Sequence, residues 1–253
     1  MEKAYLIENG IQTEISLTAF ERRIAGLRRD TDSWPEIVCV VCGGAVFSSG
    51  LRTPNPEYTP RLSHKKEEGE SCPLGKNSRR FNALSNADYD YESAKALRAA
   101  FYEFSHLREA YIICRSLRGG KGMLSQADFI QLVNVADSFN IWRYKGISLW
   151  GATILLMLMA NHPTRAGRAS FFYSLKKKRG CSDIWKGIKL KAHWVSTGNE
   201  IQQDSSRNAT FLHEIPFEEK TCSNILSESN NDWFDENTLR EIAILSRKKS
   251  GGF

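Results

Sequence analysis

Hydrophobic residues recur along the chain with two different periods, and the change falls near residue 92. Before it, Ala4-Tyr5-Leu6-Ile7 and Ile11-Gln12-Thr13-Glu14-Ile15 flank Asn9-Gly10, a pair that tolerates the positive φ angles of a tight hairpin turn. Thr18 with Glu21 three residues later has capping-box spacing and predicts a helix through Leu27 carrying Arg22, Arg23, Arg28 and Arg29. Pro35 bars helix at its position. The valine-rich alternation that follows predicts two short strands, Glu36 to Val40 and Ala45 to Phe47, joined through Cys39-Val40-Val41-Cys42-Gly43-Gly44. Residues 53–60, with three prolines, and residues 69–80 read as loops.

From Glu92 the period becomes helical. Leu97, Ala100, Phe101, Phe104, Leu107, Tyr111 and Cys114 recur at steps of three and four, which predicts one helix up to a stop at Gly119-Gly120. Ser125 with Asp128 opens a second, with Phe129, Leu132, Val133, Ala136 and Phe139 on its inner face. Ile147 to Ala160 is apolar nearly all round but only 14 residues long. A membrane span needs about 20, so this segment predicts the buried central helix of the domain. Ser170 to Leu175 and Ile188 to Val195 predict strands around a basic turn, Ser196 to Ala209 a polar loop, Phe211 to Phe217 a strand interrupted by Pro216, and Asp235 to Lys248 a terminal helix.

Composition adds that 253 residues, 41% of them apolar, suffice for one large or two modest cores. The first ten residues hold two acids and no long apolar core, unlike a secretory signal, so a cytoplasmic protein is expected. The net charge of +6 conceals a segregated chain. Arg165, Arg168, Lys176, Lys177, Lys178, Arg179, Lys186, Lys189 and Lys191 stand against Asp183 alone, a block of +8, whereas Glu200 to Glu241 carries −7. Phe171, Phe172, Tyr173, Trp185 and Trp194 are interleaved with the nine cations, a composition suited to neutralising phosphates while stacking on bases. Core aromatics beneath a solvated cationic face give the same pattern. An anionic partner is therefore expected: nucleic acid, DNA ahead of RNA, or an acidic protein, with the protein's own acidic segment folding over the patch as a further option.

Six cysteines in a chain expected in a reducing compartment argue against a disulfide framework and raise the question of metal. Cys114, Cys181 and Cys222 are isolated and read as small buried hydrophobes. Cys39, Cys42, His64 and Cys72 instead have the form Cys-x2-Cys, 21 residues, His-x7-Cys. A Cys-x2-Cys turn directs two thiolates at one ion, Gly43-Gly44 lets the following backbone approach sulfur, and a full set of three sulfurs and one nitrogen makes a closed, structural Zn2+ site. Cys72 is the weakest of the four, and His106 is an alternative.

The Tyr5-Leu6-Ile7-Glu8-Asn9-Gly10 hairpin, the helix, the Ile37 to Phe47 knuckle and Leu62-Ser63-His64 together resemble the N-terminal zinc-ribbon-like module of the competence protein CoiA-like family, over about the first 75 residues. That resemblance implies Cys39, Cys42 and His64 as ligands, a bacterial source and an association with incoming or mobile DNA. In that family a PD-(D/E)xK nuclease domain follows, in which two acids hold Mg2+ and an acid-x-Lys strand supplies the lysine. The nearest match here is Asp204 with Glu218-Glu219-Lys220, for which a solvated charged turn is the plainer reading. Gly119-Gly120-Lys121-Gly122 lacks the first glycine and the Ser or Thr of a P-loop and reads as a helix stop. His162 reads as a helix C-terminal cation or cap, and His106 and His193 as structural.

The expected fold class is α+β: a β-hairpin plus zinc-ribbon-like module (1–80), a predominantly helical middle (81–163), and a small basic mixed α/β part with a C-terminal helix (164–253). The expected function is a zinc-binding, nucleic-acid-associated protein without catalysis. A divergent nuclease and a zinc-module protein adaptor are the alternatives.

Overall fold

The computed structural model describes all residues except 2, 29–33, 52–59, 66–68, 70–71, 76–78, 85–86, 121–122, 179, 181–182, 203–211, 229–235 and 251–253. The fold is mixed α+β with two antiparallel sheets, and the chain divides into two compact units: Met1–Ser78 with Val135–Asn140, and Arg79–Asn134 with Ile141–Phe253. Segments 81–163 and 164–253, separate in the sequence reading, contribute to the same second unit.

In the first unit, β1 (Lys3–Glu8) and β2 (Ile11–Ser16) form the expected hairpin, paired from Lys3↔Ser16 to Glu8↔Ile11. Asn9 and Gly10 both take positive φ, 51° and 75°, as this two-residue turn demands. The chain then enters α1 (Leu17–Ile24). Its cap is Ser16, whose hydroxyl accepts from Ala19 N at 3.1 Å, two residues ahead of the expected Thr18. The strand and helix thus abut, and Thr18 lies inside the helix.

The strands β3 (Ile37–Val38), β4 (Ala45–Ser49) and β5 (Arg61–His64) complete the sheet in the order β2-β1-β3-β4-β5. The strand β5 lies between the two segments that read as loops, where the sequence pattern predicts no element. It pairs with β4 from Val46↔His64 to Ser49↔Arg61, and its other edge exchanges backbone hydrogen bonds with Met1, Leu62 N to Met1 O at 3.1 Å and Met1 N to Leu62 O at 2.8 Å. Ala4, Leu6, Phe20, Ile24, Val46 and Leu62 form the small core.

In the second unit the expected single helix is two: α2 (Tyr91–Phe101), capped by Asp90, and α3 (Phe104–Leu117). The break at Tyr102-Glu103 has no glycine or proline. Tyr102 is fully buried, its carbonyl accepts from Ser246 Oγ at 2.7 Å, and Phe101 and Tyr102 both pack on Trp142. Tertiary contact here overrides helical propensity. The α3 helix stops at glycines of positive φ, Gly119 N bonding Ser116 O and Gly120 N bonding Arg115 O.

The next helix, α4 (Gln126–Phe139), opens with the Ser125–Asp128 capping box, each side chain bonding the other's backbone N at 3.1 Å. The apolar segment forms α5 (Leu149–Leu155), capped by Ser148 and continued by a 3-10 turn, Leu156–Leu158, and every residue from Gly151 to Leu158 is buried. The second sheet has the order β6-β7-β8-β9: β6 (His162–Pro163), β7 (Ser170–Lys177), β8 (Ile188–Trp194) and β9 (Glu214–Pro216). Two helices follow, α6 (Glu219–Glu228) and α7 (Glu236–Ser250), both in contact with α3. Among the described residues no helix is long and apolar enough to cross a membrane.

Candidate metal centre

Cys39, Cys42, His64 and Cys72 converge: their four ligand atoms lie within 4.8 Å of one another. Cys39 follows β3, Cys42 closes the turn before β4, and His64 ends β5, so three ligands are delivered by adjacent strands of one sheet. Cys72 comes from the loop beyond. The Cys39 and Cys72 sulfurs are 3.7 Å apart, and Cys42 Sγ is 3.3 Å from His64 Nε2. Four ligands about 2.3 Å from one zinc in a tetrahedron have edges of roughly 3.8 Å, so the donor set fits Zn2+ in kind and in spacing.

The backbone around each sulfur is arranged for a thiolate. Val41 N points at Cys39 Sγ, Gly44 N at Cys42 Sγ and Leu74 N at Cys72 Sγ, each at 3.4 Å. The same contact, from the N–H two residues on to the sulfur, thus occurs at both halves of the site, within Cys39-Val40-Val41-Cys42-Gly43-Gly44 and within Cys72-Pro73-Leu74-Gly75. The turns themselves differ: Gly43 N to Cys39 O at 3.0 Å closes the first across four residues, and Gly75 N to Cys72 O at 2.9 Å closes the second across three. Gly43 takes φ +69°, which accounts for the glycine there. Cys39 and Cys72 are buried and Cys42 is exposed. Hydrogen bonding from Cys72 is the main influence pulling the Cys39 thiol down to about 4, and the neighbouring Cys39 in turn pushes Cys72 up. Burial, chiefly, raises Cys42. A divalent cation placed among the three sulfurs would stabilise all of them as thiolates.

Two glycines that the sequence reading passed over hold the second half together. A Cβ on Gly69 would lie 2.5 Å from His64 Cγ, and one on Gly75 would lie 1.9 Å from the Gly69 carbonyl oxygen. The latter is backbone and cannot swing aside. Gly75→Ala is therefore expected to displace Cys72 and lower zinc affinity at least tenfold, read by competition with a chromogenic chelator; an unchanged affinity would count against Cys72 as a ligand.

The basic block is arranged differently from a continuous cationic surface. Alternation along β7 and β8 buries Phe171, Tyr173, Leu175, Ile188, Leu190 and Ala192, so Phe171 and Tyr173 are core residues and offer no stacking face. Phe172 stacks on His193 at 5.2 Å and Trp185 on Phe217 at 5.5 Å. On the outer face Lys176 and Lys191 pair with Glu200 at 3.0 and 3.1 Å, Lys189 pairs with Glu214 at 2.6 Å, and Lys191 also reaches Glu214. Glu214, ahead of Glu200, holds the Lys191 ammonium above its ordinary range, and the lysines hold both carboxylates below theirs. Lys186 pairs with Asp183 at 3.5 Å. The acidic segment thus covers the patch with two of its own carboxylates.

Arg165, Arg168, Lys177 and Lys178 enter no ion pair among the described residues, and Arg179 lies outside them. The arginines precede β7 and the lysines end it, so roughly 25 Å of an eight-residue strand separates them.

The nuclease candidates are not brought together on a strand. Glu218 lies in a turn and Glu219 and Lys220 open α6, all exposed, while Asp204 is outside the described residues, as are Lys121, Gly122 and Cys181. His162 is not a helix-end cation: it is buried in β6, and burial, with Arg118 nearby, pulls it down to about 3. His106 is buried against Thr153 and distant in the chain from the cysteines, and Cys114 and Cys222 are buried thiols, as expected. No protein-family model, curated protein or solved structure matches the chain.

Proposed function

We propose that the protein is a zinc-stabilised nucleic-acid-binding protein, DNA favoured over RNA, in which Cys39, Cys42, His64 and Cys72 hold a structural Zn2+. The observation that carries the metal half is the clustering of the four donors together with the backbone N–H that is aimed at each of the three sulfurs from two residues on. Zinc supplies cross-linking charge there, and with four protein donors no position is left for a reacting water. The resemblance to the CoiA-like N-terminal module belongs to the same proposal, since it rests on these ligands and the hairpin before them.

The nucleic-acid half is supported by the net charge of +6 and by four exposed or half-exposed cations that enter no ion pair among the described residues, Arg165, Arg168, Lys177 and Lys178. Glu200 and Glu214 act as competitors for phosphate at Lys176, Lys189 and Lys191. Lys177→Gln with Lys178→Gln is expected to weaken binding to a mixed-sequence DNA and to reduce the slope of log affinity against log salt by about one to two, whereas Glu214→Gln strengthens binding and steepens the slope. Affinity independent of salt in all three proteins would defeat the phosphate role.

A further inference from the structure

Next to the metal centre the first sheet has an opening. The strand β4 continues past its pairing with β3, which ends at Ile37↔Val46, because the next position on that side is reached through Glu36 and Pro35, and proline has no N–H to continue a ladder. A cavity of about 520 Å³ results, lined by Phe20, Trp34, Phe47, Ser48, Glu36 and Lys65 among others. Its size is that of a small-ligand site. Trp34 forms one aromatic wall, backed by the buried Phe20 at 76° with ring centroids 6.3 Å apart, and Phe47 on β4, 43% exposed, forms another.

Three polar groups punctuate this aromatic lining. Ser48 Oγ is buried and has no hydrogen-bond partner among the described residues, a polar atom left for an occupant's polar edge to satisfy. Glu36 and Lys65 are exposed and bring one charge of each sign to the cavity. A purely aliphatic occupant uses none of these. A nucleotide uses all of them: a flat ring for the aromatic walls, ring N–H and exocyclic groups for a carboxylate and a hydroxyl, and a phosphate for the lysine.

We infer that this cavity takes one unpaired nucleobase of a bound single strand, with Lys65 on the adjoining phosphate. The inference rests on the nucleic-acid reading above and adds a base-accepting subsite to it. Lys65 follows the ligand His64 directly, and Ala45 follows Gly44 of the knuckle, so the metal fixes both sides of the opening.

The test uses the full chain with zinc bound and ten-nucleotide single strands, one DNA and one RNA, each carrying a single 2-aminopurine whose emission is quenched by stacking. Binding is expected to quench that emission severalfold. Phe47→Ala, at an exposed position that the fold tolerates, is expected to lower affinity roughly 5- to 150-fold and restore the emission. Ser48→Ala is expected to weaken binding while leaving the melting temperature equal or higher, a pairing that a purely structural serine does not give. The DNA and RNA arms separate the two sources of the base. Salt-dependent binding with unquenched 2-aminopurine and wild-type affinity in Phe47→Ala overturns the inference and leaves the nucleic-acid reading standing. Failure of both strands to bind removes both. Binding of an acidic, aromatic-bearing peptide in their place assigns the cavity to a protein partner and likewise overturns the inference.

Discussion

Stripping the metal is expected to unfold residues 1–78 and leave the helical unit folded. Apart from the end of α4, the first unit has little else to hold it: β3 is two residues long, β5 is four, and the buried side chains of residues 1–78 amount to a thin layer around Leu6, Phe20, Val46 and Leu62. A structural zinc contributes about 10–16 kcal/mol in small metal-dependent modules near neutral pH, comparable to the whole stability of a domain. Cys39 and Cys72 are buried, so replacing either also leaves a hole or an orphaned polar atom, and Cys39→Ser should be more damaging than Cys42→Ser, whose position is exposed. One zinc per chain by elemental analysis, with hydrogen-exchange protection lost only in the first unit after chelation, is the expected pattern. Metal-free protein as isolated, with protection unchanged by chelator, would remove the site from the account.

How much of this was visible in the sequence depended on how local each interaction is. The knuckle was legible because Cys39, Cys42 and Gly43-Gly44 impose their geometry within six residues. The hairpin, the Ser125–Asp128 box and the buried α5 were legible for the same reason, each being a short pattern with one structural solution. The strand β5 was not, since Arg61-Leu62-Ser63-His64 buries a single side chain fully, Leu62, too little for a period to show. The α6 helix, with Thr221, Ser223 and Asn224 in its first turns, has weak intrinsic helicity and is held by contacts with α3 and α5.

The site divides along the same line. That these four residues could share one metal ion is a matter of residue type and spacing and was readable. The roles of Gly69 and Gly75 are steric relations between His64 and a loop, and no periodicity announces them. In the basic block the run Phe171-Phe172-Tyr173-Ser174-Leu175 does not reveal which residues face inward. The pairing of Lys176 and Lys191 with Glu200, and of Lys189 and Lys191 with Glu214, joins segments 9 to 25 positions apart. Charge segregation along the chain was real, yet folding brings opposite blocks together and, among the described residues of the basic block, leaves the cations at the two ends of β7 without an ion pair.

Mild acid is expected to unfold the second unit, because two of its histidines are buried in the neutral form. His162 sits within the core with Nε2 2.8 Å from the Met157 carbonyl, which fixes the ring proton on Nε2, and it packs on Phe171 and Tyr173. The charged neighbours that act on it are Arg118 and Arg80. Arg118 is itself fully buried, lies 4.8 Å from the Phe171 ring centroid and donates to Pro163 O at 2.8 Å, so protonating His162 would add a second cation to an apolar layer. Burial with these arginines brings His162 down to about 3, and burial alone brings His106 down to about 4, the nearest carboxylate, Glu109, being 4.0 Å away. Both folded values lie below the ordinary 6.5, so the unfolded chain binds more protons between them. Stability is then complete above pH 6.5 and is withdrawn as pH falls toward 3. At about 1.4 kcal/mol per decade, the two histidines together remove on the order of 5 kcal/mol by pH 4, enough to unfold a domain of ordinary stability. Urea unfolding followed by hydrogen-exchange protection of the second unit's amides, a readout distinct from the release of zinc by the first unit in acid, should show this loss between pH 6.5 and 4. His162→Gln, which cannot protonate, should be less stable at pH 7.5 yet show roughly half the pH slope. An unaltered slope in that variant would place the acid sensitivity elsewhere.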